Sequence, residues 1–206
     1  MTDQSVIYES EVGRMEKGKR EQILTAAIST LDRLGLENTT IQNIADEAGI
    51  AKGTVYLYFS SKENLIQQVL MYCNGLDIEA CEKDLDLEKT VLGKLNRRMR
   101  NAIFWSMEHP LESKIEWLIM SSPVYGKGFR YVQQTEQARY VDKILTEGVE
   151  NGELKPLPVP LLGEILFGMG YAFLSFFKSN PELLHDEEIW KNYYQTITDC
   201  LASHKY

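Results

Sequence analysis

The sequence predicts an all-α protein, with a small N-terminal group of three helices followed by a larger helical part. Apolar residues recur at spacings of three and four along most of the chain, which is typical of amphipathic helices. No segment shows the strict alternation expected of a half-buried strand. Glycine and proline residues separate the helical stretches, so we expect about nine helices in the 206 residues.

The first predicted helix spans residues 17–34 and presents one apolar face. That face carries Ile23, Ala27, Leu31 and Leu34 at helical spacing. Gly35 follows directly and is expected to end the helix, since glycine is common just after a helix C-terminus. Residues 1–13 are largely polar and acidic, and we predict that they form a disordered arm.

The segment 39–66, TTIQNIADEAGIAKGTVYLYFSSKENLI, reads as two short helices joined by a tight turn and followed by a third helix. Thr40 precedes the first of them, and its hydroxyl can accept a hydrogen bond from an unpaired helix N–H group. Gly49 supplies the backbone freedom for the turn, and the second helix covers 52–58. This is the layout of a helix-turn-helix, whose second helix can enter the major groove of DNA.

Individual positions make this segment more specific than a general helix-turn-helix. It resembles the TetR (tetracycline-repressor) family of bacterial transcriptional regulators at Thr39-Thr40, Ile44-Ala45, Ala48-Gly49, Gly53-Thr54, Tyr56, Tyr58-Phe59, Lys62-Glu63 and Leu65. The resemblance covers about residues 17–66 and implies a DNA-binding domain at 14–62 and a ligand-binding and dimerisation domain at 63–206. Ala51 departs from the family pattern, which usually has serine there, so a hydroxyl that would cap the second helix is missing. The alternative is an inert packing unit of three helices.

The resemblance assigns DNA recognition to the helix at 52–58. Lys52 can donate to guanine or to a phosphate, Thr54 can meet a thymine methyl group or a polar base edge, and Gln42 can pair with adenine. The tyrosines and Lys62 are expected to contact phosphates, although Tyr56 has the alternative of packing against the first helix. The predicted DNA-binding residues are Lys17, Arg20, Thr40, Gln42, Lys52, Gly53, Thr54, Tyr56, Tyr58 and Lys62.

The charge distribution is compatible with DNA binding, although the chain has 22 basic and 30 acidic residues and a formal charge of −8. Residues 14–62 contain seven basic and six acidic residues, which gives this region a net charge of +1. Phosphate binding needs local cations rather than a basic protein. Because one short helix reads only a few base pairs, we expect a homodimer that places two recognition helices about 34–36 Å apart on a palindromic operator in double-stranded DNA.

Four further helices are predicted between the recognition helix and residue 151. The first opens with a capping box of Ser60 and Glu63 and continues to about residue 83. The others are expected at 88–107, in a short stretch that ends at Met120, and at 127–151. Gly152 with Leu154 is expected to end the last of these, as a glycine stop with its hydrophobic contact.

The C-terminal third contains a stretch, 161–177, that is apolar on nearly every side. A helix of this kind is expected to be buried on every side. A membrane span is the competing interpretation, but the stretch contains Glu164 and has no flanking basic cluster, so we expect no membrane contact. With a last helix after Asp186, it is predicted to form a four-helix bundle between two subunits, as the resemblance also implies. A purely intramolecular core is the alternative. The predicted interface residues are Leu162, Leu166, Met169, Phe173, Phe177, Trp190, Tyr194 and Ile197.

Aromatic and methionine residues between 66 and 178 can line a pocket for a small apolar or aromatic ligand. A helical core uses the same residue types, so core packing is the alternative for each of them. Arg98 lies at the edge of an apolar stripe and can either anchor an acidic ligand or pair with a glutamate. The predicted ligand-binding residues are Tyr72, Arg98, Trp105, Trp117, Tyr125, Phe129, Phe167 and Tyr171.

The sequence offers no residue pattern for catalysis or metal binding. It has no glycine-rich phosphate loop and no HExxH motif, and its three histidines are scattered, so we expect neither an enzyme nor a cofactor. The chain is predicted to be a cytoplasmic repressor that a small molecule releases from DNA. A DNA-bound adaptor that recruits a protein and senses no ligand is the alternative, and a helical-bundle enzyme with an appended DNA domain is a remote third hypothesis.

Overall fold

The computed structural model describes the backbone of residues 3–125 and 136–203, and the side chains from residue 18 onward except those of 77, 79 and 136–139. These ranges contain nine α-helices: α1 Asp3–Asn38, α2 Ile41–Glu47, α3 Lys52–Tyr58, α4 Lys62–Cys81, α5 Val91–Glu108, α6 Pro110–Met120, α7 Glu136–Glu150, α8 Val159–Ser179 and α9 Glu187–Leu201. Short 3₁₀ segments lie at Leu85–Leu87 and Pro181–Leu183. The described residues are 79% helical and contain no β-strand, which confirms the predicted all-α class.

Helix α1 differs from its prediction at the N-terminus. It begins at Asp3, where the sequence predicted a disordered arm over 1–13 and a helix from residue 17. The physical reason is that this stretch contains no proline and a single glycine, Gly13, so nothing in it forces a helix to end. At the other end Gly35 has φ 72° and ψ 173°, so the helical backbone is interrupted at the residue predicted to end it.

The N-terminus of α4 is capped one residue later than predicted. The Ser61 hydroxyl accepts a hydrogen bond from the Asn64 N–H at 3.1 Å, and the Asn64 side-chain oxygen accepts one from the Ser60 N–H at 3.3 Å. The predicted capping box of Ser60 and Glu63 is therefore replaced by this pair. The pKa of the exposed Glu63 is lowered, mainly by a hydrogen bond from its own backbone N–H and to a smaller extent by one from the Ser61 hydroxyl. A negative charge at this position stabilises the N-terminus of the helix.

The chain divides into two compact units. Unit 1 comprises Met1–Asn74 and Leu111–Phe129, and unit 2 comprises Gly75–Pro110 and Arg130–Tyr206. Helix α4 contributes residues to both units. The domain boundary after residue 62 remains a prediction, since this division follows compactness and groups α6 with the first helices.

Unit 1 is built on the apolar faces of its N-terminal helices. Helix α1 packs on α2, and α2 packs on α3. The fully buried side chains include Ile23, Leu31, Ile44, Leu65 and Ile66. The predicted inner face of α1 is thus found in the core, apart from Leu34, which is only half-buried.

Unit 2 packs α5, α7, α8 and α9 around a core rich in aromatic rings. The Trp190 ring stacks on Phe177 with centroids 5.0 Å apart and meets Tyr193 edge-on at 5.4 Å. The Arg100 guanidinium lies 5.0 Å from the centroid of the Trp190 ring and donates to the Glu187 carboxylate at 2.8 Å. These contacts hold α9 against α5 and α8.

The connector between α7 and α8 caps the N-terminus of α5. Gly152 turns the chain after α7 with φ +77°, and Leu154 is buried, as the sequence predicted for this pair. The Glu153 carboxylate accepts hydrogen bonds from the N–H groups of Val91 and Leu92 at 3.0 and 2.8 Å. It therefore satisfies two backbone donors that a helix N-terminus otherwise leaves unpaired.

The same connector pairs with the residues that follow α9. Leu154 and Ala202 form an isolated antiparallel bridge. The Lys155 N–H donates to the Leu201 carbonyl at 2.8 Å, and the Ser203 N–H donates to the Glu153 carbonyl at 2.9 Å. The end of α9 is therefore bonded to the connector that caps α5.

Helix α8 is buried on one face only. Leu162, Leu166, Gly170 and Phe177 are buried in unit 2. The large apolar side chains on its other face are exposed, namely Leu161, Phe167, Tyr171 and Phe176. The expectation that this helix is buried on every side is therefore wrong for the single chain. Among the described helices, α8 is also the one long and apolar enough to cross a membrane by length and composition, with 17% of that window buried.

Candidate nucleic-acid interface

Helix α2 is fixed at its N-terminus by Thr40. The Thr40 hydroxyl accepts a hydrogen bond from the Asn43 N–H at 3.1 Å, and the Asn43 side-chain oxygen accepts one from the Thr40 N–H at 3.1 Å. This reciprocal arrangement is a capping box and confirms Thr40 as the N-cap. Ile41 and Ile44 are buried, which leaves Gln42 on the exposed side of the helix.

The turn between α2 and α3 is built around Gly49. Its φ of +64° lies in the left-handed region, which strains residues that carry a side chain. The Ile50 N–H donates to the Ala45 carbonyl at 3.0 Å and closes the end of α2. The Gln22 amide of α1 donates to the Ala48 carbonyl at 2.8 Å. The direction in which the chain enters α3 is therefore set by a backbone hydrogen bond at the end of α2 and by the hydrogen bond from Gln22 of α1.

Helix α3 buries one face and exposes the other. Val55 and, directly after the helix, Phe59 are fully buried and anchor α3 in unit 1. Lys52 and Gly53 are exposed. Tyr56 is 48% exposed, which places it on the outer face and argues against the alternative of burial on α1.

The N-terminus of α3 has no side-chain cap. Ala51 occupies the N-cap position with extended φ and ψ, and no side chain accepts a hydrogen bond from the first N–H groups. The Ala51 carbonyl accepts from the Thr54 N–H at 2.9 Å. The departure from the family pattern at residue 51 thus leaves the first N–H groups of the helix to solvent.

Two of the predicted basic contacts are engaged within unit 1. The Arg20 guanidinium donates to the Gln68 side-chain oxygen and lies over the Phe59 ring, 5.5 Å from its centroid. The Lys62 ammonium donates to the Leu36 carbonyl near the end of α1 at 2.7 Å. Both residues are half-buried and tie elements of the unit together. Their contact with DNA remains a prediction.

The other predicted DNA-binding residues lie at the edges of α2 and α3. Thr54 and Tyr58 are half-buried. Gln42 is exposed, and its amide donates to the Asp46 carboxylate at 2.8 Å. The side chain of Lys17 lies outside the described residues. The exposed members of the predicted set are Thr40, Gln42, Lys52, Gly53 and Tyr56.

Leu57 is a surface residue of α3 that the sequence prediction omitted. It is 83% exposed, the largest value among the large apolar side chains described. It lies four residues after Gly53, and residues four apart share one face of a helix. The spacing from Gly53 could have indicated that Leu57 lies on the exposed face. An apolar residue inside a helix is, however, usually assigned to the core.

The predicted ligand-binding residues divide between the two units. In unit 1, Tyr72 and Tyr125 are half-buried and Trp117 is exposed. Burial raises the pKa of Tyr125, and the negative charges of Glu63 and Glu37 raise it further. Phe129 lies outside the described residues. A ligand role for these residues remains a prediction.

In unit 2 the predicted ligand-binding residues have different surroundings. Trp105 is buried and stacks on the His109 ring at 4.7 Å, so it packs in the core. Phe167 and Tyr171 lie on the exposed face of α8. Arg98 is half-buried, and its Nε is buried with no hydrogen-bond partner among the described residues. Among the residues that the structure describes, no group of His, Cys, Asp or Glu side chains could hold a metal ion.

The predicted dimer interface needs a correction. Five of its residues are buried in the core of unit 2 within one chain and have no surface left for a partner, namely Leu162, Leu166, Phe177, Trp190 and Ile197. Met169, Phe173 and Tyr194 are half-buried, and the Phe173 ring meets Tyr193 edge-on at 4.2 Å. The predicted interface thus lies on the internal face of α8. A helix that is apolar on every side does not indicate from its sequence which side is internal.

Comparison with known proteins places the N-terminal region in a defined family. The family model described as bacterial regulatory proteins, tetR family, matches residues 23–69. The fatty acid metabolism regulator protein of Bacillus subtilis (strain 168) is 28% identical over 157 residues, which cover 75% of this chain and 81% of that protein. The transcriptional repressor KstR2 of Mycolicibacterium smegmatis is 27% identical over 171 residues, which cover 80% and 82%.

Solved structures share the fold of most of the chain. A TetR family transcription regulator from Marinobacter aquaeolei VT8 has a TM-score of 0.77 at 20% identity, with 93% of this chain and 99% of that chain covered. The transcriptional regulator FadR from Bacillus subtilis, in complex with stearoyl-CoA, has a TM-score of 0.70 at 24% identity, with 86% and 97% covered.

A helix-turn-helix with a capped first helix and an exposed second helix, carried by an all-α chain, is the architecture of helix-turn-helix DNA-binding proteins. Residues 23–69 match the TetR family of bacterial regulatory proteins, which confirms the resemblance drawn from residues 17–66. The chain is a DNA-binding transcriptional regulator.

Proposed function

We propose that the protein is a cytoplasmic homodimeric repressor that binds a palindromic operator and leaves it when a small apolar ligand binds. The observation that carries the proposal is the exposed outer face of α3, which buried Val55 and Phe59 hold in place. Helix α3 has only seven residues and can contact few base pairs. Two copies, about 34–36 Å apart in successive major grooves, are the geometry that this short helix needs.

The exposed face of α8 supports the homodimer. It presents four large apolar side chains along a 21-residue helix, Leu161, Phe167, Tyr171 and Phe176. This side of α8 also carries exposed Glu164 and Lys178, but its large side chains are mainly apolar, and exposed apolar side chains grouped in this way mark an interaction site. Small residues on the same exposed side allow close approach of a second helix, namely Gly168, Ala172 and Ser175. A second copy of α8 is the partner that we assign, because a two-fold axis brings the same surface of both subunits together.

Long-chain acyl compounds are the ligand class that we assign. The Bacillus subtilis relative is named a fatty acid metabolism regulator, and FadR was solved in complex with stearoyl-CoA. In this chain Arg98 supports a ligand with an apolar body and an anionic group. Its Nε is buried without a partner, and it forms no ion pair with a described carboxylate.

Release by a ligand requires energetic coupling between the ligand site and the DNA site. A hundredfold loss of operator affinity corresponds to about 2.7 kcal/mol of coupling. By reciprocity, operator DNA must weaken ligand binding by the same factor. We assign the coupling to α4, because it contributes a long segment to each compact unit, residues 62–74 to unit 1 and 75–81 to unit 2, whereas α6 contributes only Pro110 to unit 2.

The test begins with a selection of bound sequences from random DNA duplexes. We expect an enriched palindrome whose half-sites lie one helical turn apart. Stearoyl-CoA is then titrated onto the complex with the enriched duplex, with free CoA as the control, and fluorescence anisotropy reports release. Arg98→Met should weaken the response to stearoyl-CoA and leave the affinity for DNA alone unchanged.

Two outcomes would contradict the proposal at different points. If no sequence is enriched, the assignment of α3 to specific DNA recognition fails. If calorimetry gives equal stearoyl-CoA affinity with and without the enriched duplex, release by this ligand class fails. Release by a ligand of another class and the DNA-bound adaptor would then be the remaining functions.

A further inference from the structure

We infer that Leu57 reads the C5-methyl group of a thymine in each half-site of the operator. The inference rests on the proposed function, because it requires α3 to lie in the major groove. Leu57 is 83% exposed on the outer face of α3. Its side chain has no hydrogen-bonding atom, so it can distinguish base pairs only through apolar contact.

The packing of unit 1 does not need an apolar residue at position 57. Val55 is the fully buried residue of α3, and Phe59 is buried directly after the helix. A separation of two residues in an α-helix is a rotation of about 200°, so Leu57 lies on the side opposite Val55. Leu57 therefore exposes most of its side chain to water in the free protein and is not part of the core.

The neighbours of Leu57 leave room for a base edge on the same face. Gly53 lies one turn earlier, and a Cβ there would have no atom within 4 Å. A long side chain in a helix leans over the turn that precedes it, so Leu57 covers the space above Gly53. Thr54, three residues before Leu57, adds a methyl group beside it. Exposed Lys52 and Tyr56 flank this surface and can hold phosphates.

Thymine is the base that an apolar side chain recognises in the major groove. It presents a methyl group there, whereas guanine presents acceptors, adenine an acceptor and a donor, and cytosine a donor. A leucine pressed against one of those polar edges would leave it without a hydrogen bond. Leu57 therefore attracts thymine and also disfavours the other bases at the same position of each half-site.

Replacement of thymine by uracil removes the methyl group alone and isolates this contact. The probe is the duplex that the wild-type protein enriches from random sequences, prepared with dT or with dU at each thymine position in turn. For the wild type we expect one position in each half-site where dU weakens binding about fourfold, the factor that burial of one methyl group corresponds to. Leu57→Ala should bind the dT and dU duplexes equally at that position.

A matched control separates this effect from a general loss of apolar surface. Leu87 is 67% exposed in the 3₁₀ segment of unit 2, and Leu87→Ala should keep the wild-type preference for dT. Thermal unfolding verifies that Leu57→Ala keeps its fold.

Several outcomes would overturn the inference. It fails if the enriched duplexes share no thymine, if dU never weakens wild-type binding, or if Leu57→Ala keeps the dT preference. In each of these cases the wild type still selects a sequence, so the proposed function stands. Failure of the wild type to enrich any sequence overturns both.

Discussion

At the scale of single residues, the basic side chains near the helix-turn-helix differ in their surroundings more than in their charge. Lys52 is exposed at the start of α3, whereas Lys62 and Arg20 bond to Leu36 and Gln68. Motif spacing was sufficient to select these cations as candidates. It could not supply their partners, because both partners are distant in sequence and reach the cations only in the fold.

Substitution of Lys52 and Lys62 should separate a DNA contact from a structural one. Lys52→Ala should weaken binding to the enriched duplex and lower the slope of log K against log salt by about 0.9, the loss of one phosphate contact. Lys62→Ala should lower the free energy of unfolding by about 1–2 kcal/mol, because it removes a charge-assisted hydrogen bond to the Leu36 carbonyl. Anisotropy over a salt series and urea denaturation measure the two effects. Unchanged affinity and slope for Lys52→Ala would exclude it from the DNA contact.

At the scale of the elements, the positions of the helices follow from the sequence more closely than their ends do. The predicted helix ends are found at Thr40, Gly35 and Gly152, because threonine and glycine are residue types with a strong preference for helix ends. The cap of α4 was predicted one residue early because Ser60 and Ser61 can both cap. Asn64 decides between them. Its side-chain oxygen accepts a hydrogen bond from the Ser60 N–H, and its own N–H donates to the Ser61 hydroxyl.

The uncapped start of α3 predicts that a hydroxyl at position 51 stabilises the protein. Ala51→Ser should raise the free energy of unfolding by about 1 kcal/mol, the usual value of a serine N-cap. Urea denaturation measures the gain, and Ala51→Val is the control, since valine cannot cap. No gain for the serine variant would mean that the first N–H groups of α3 find other partners.

The cap that Glu153 provides for α5 predicts a loss on neutralisation of its charge. Glu153→Gln should lower the free energy of unfolding by about 1–2 kcal/mol, because glutamine keeps only one acceptor oxygen: one of the two N–H groups loses its acceptor, and the remaining hydrogen bond loses its charge. Chemical denaturation checks this value. Exposed Glu150, at the end of α7, offers the control Glu150→Gln, for which we expect no loss. Equal stability of both variants would show that the helix N-terminus does not depend on the carboxylate.

At the scale of the whole molecule, the sequence analysis placed the predicted dimer interface on the face of α8 that packs inside unit 2. Glycine and aromatic residues occur on both sides of this helix, so periodicity carries no information about which side packs on α5. The structure supplies that information through Gly170, where a Cβ would collide with the Met99 side chain. The face with Leu161 and Tyr171 is therefore the one available to a partner.

The exposed face of α8 predicts which substitution yields monomers. Tyr171→Asp places a charge in the middle of the proposed interface, where burial without a partner charge is costly, so we expect a monomer that binds the operator weakly. Sedimentation equilibrium at micromolar concentration measures the change. Leu87→Asp is the control, since Leu87 is exposed elsewhere in unit 2. A monomeric wild type under these conditions would contradict the proposed dimer.

The bonds between the α7–α8 connector and the end of α9 determine the order in which the chain can fold on the ribosome. The N-terminus of α5 gains its carboxylate partner only after Glu153 has been translated, and the connector stays unpaired until Leu201 and Ala202 emerge. The segments of unit 1 end at Phe129, so this unit can fold earlier. A nascent chain therefore carries a folded DNA-binding unit while the apolar faces of α5 and α8 are still open. During that interval these apolar faces of unit 2 are the surface that a chaperone could cover.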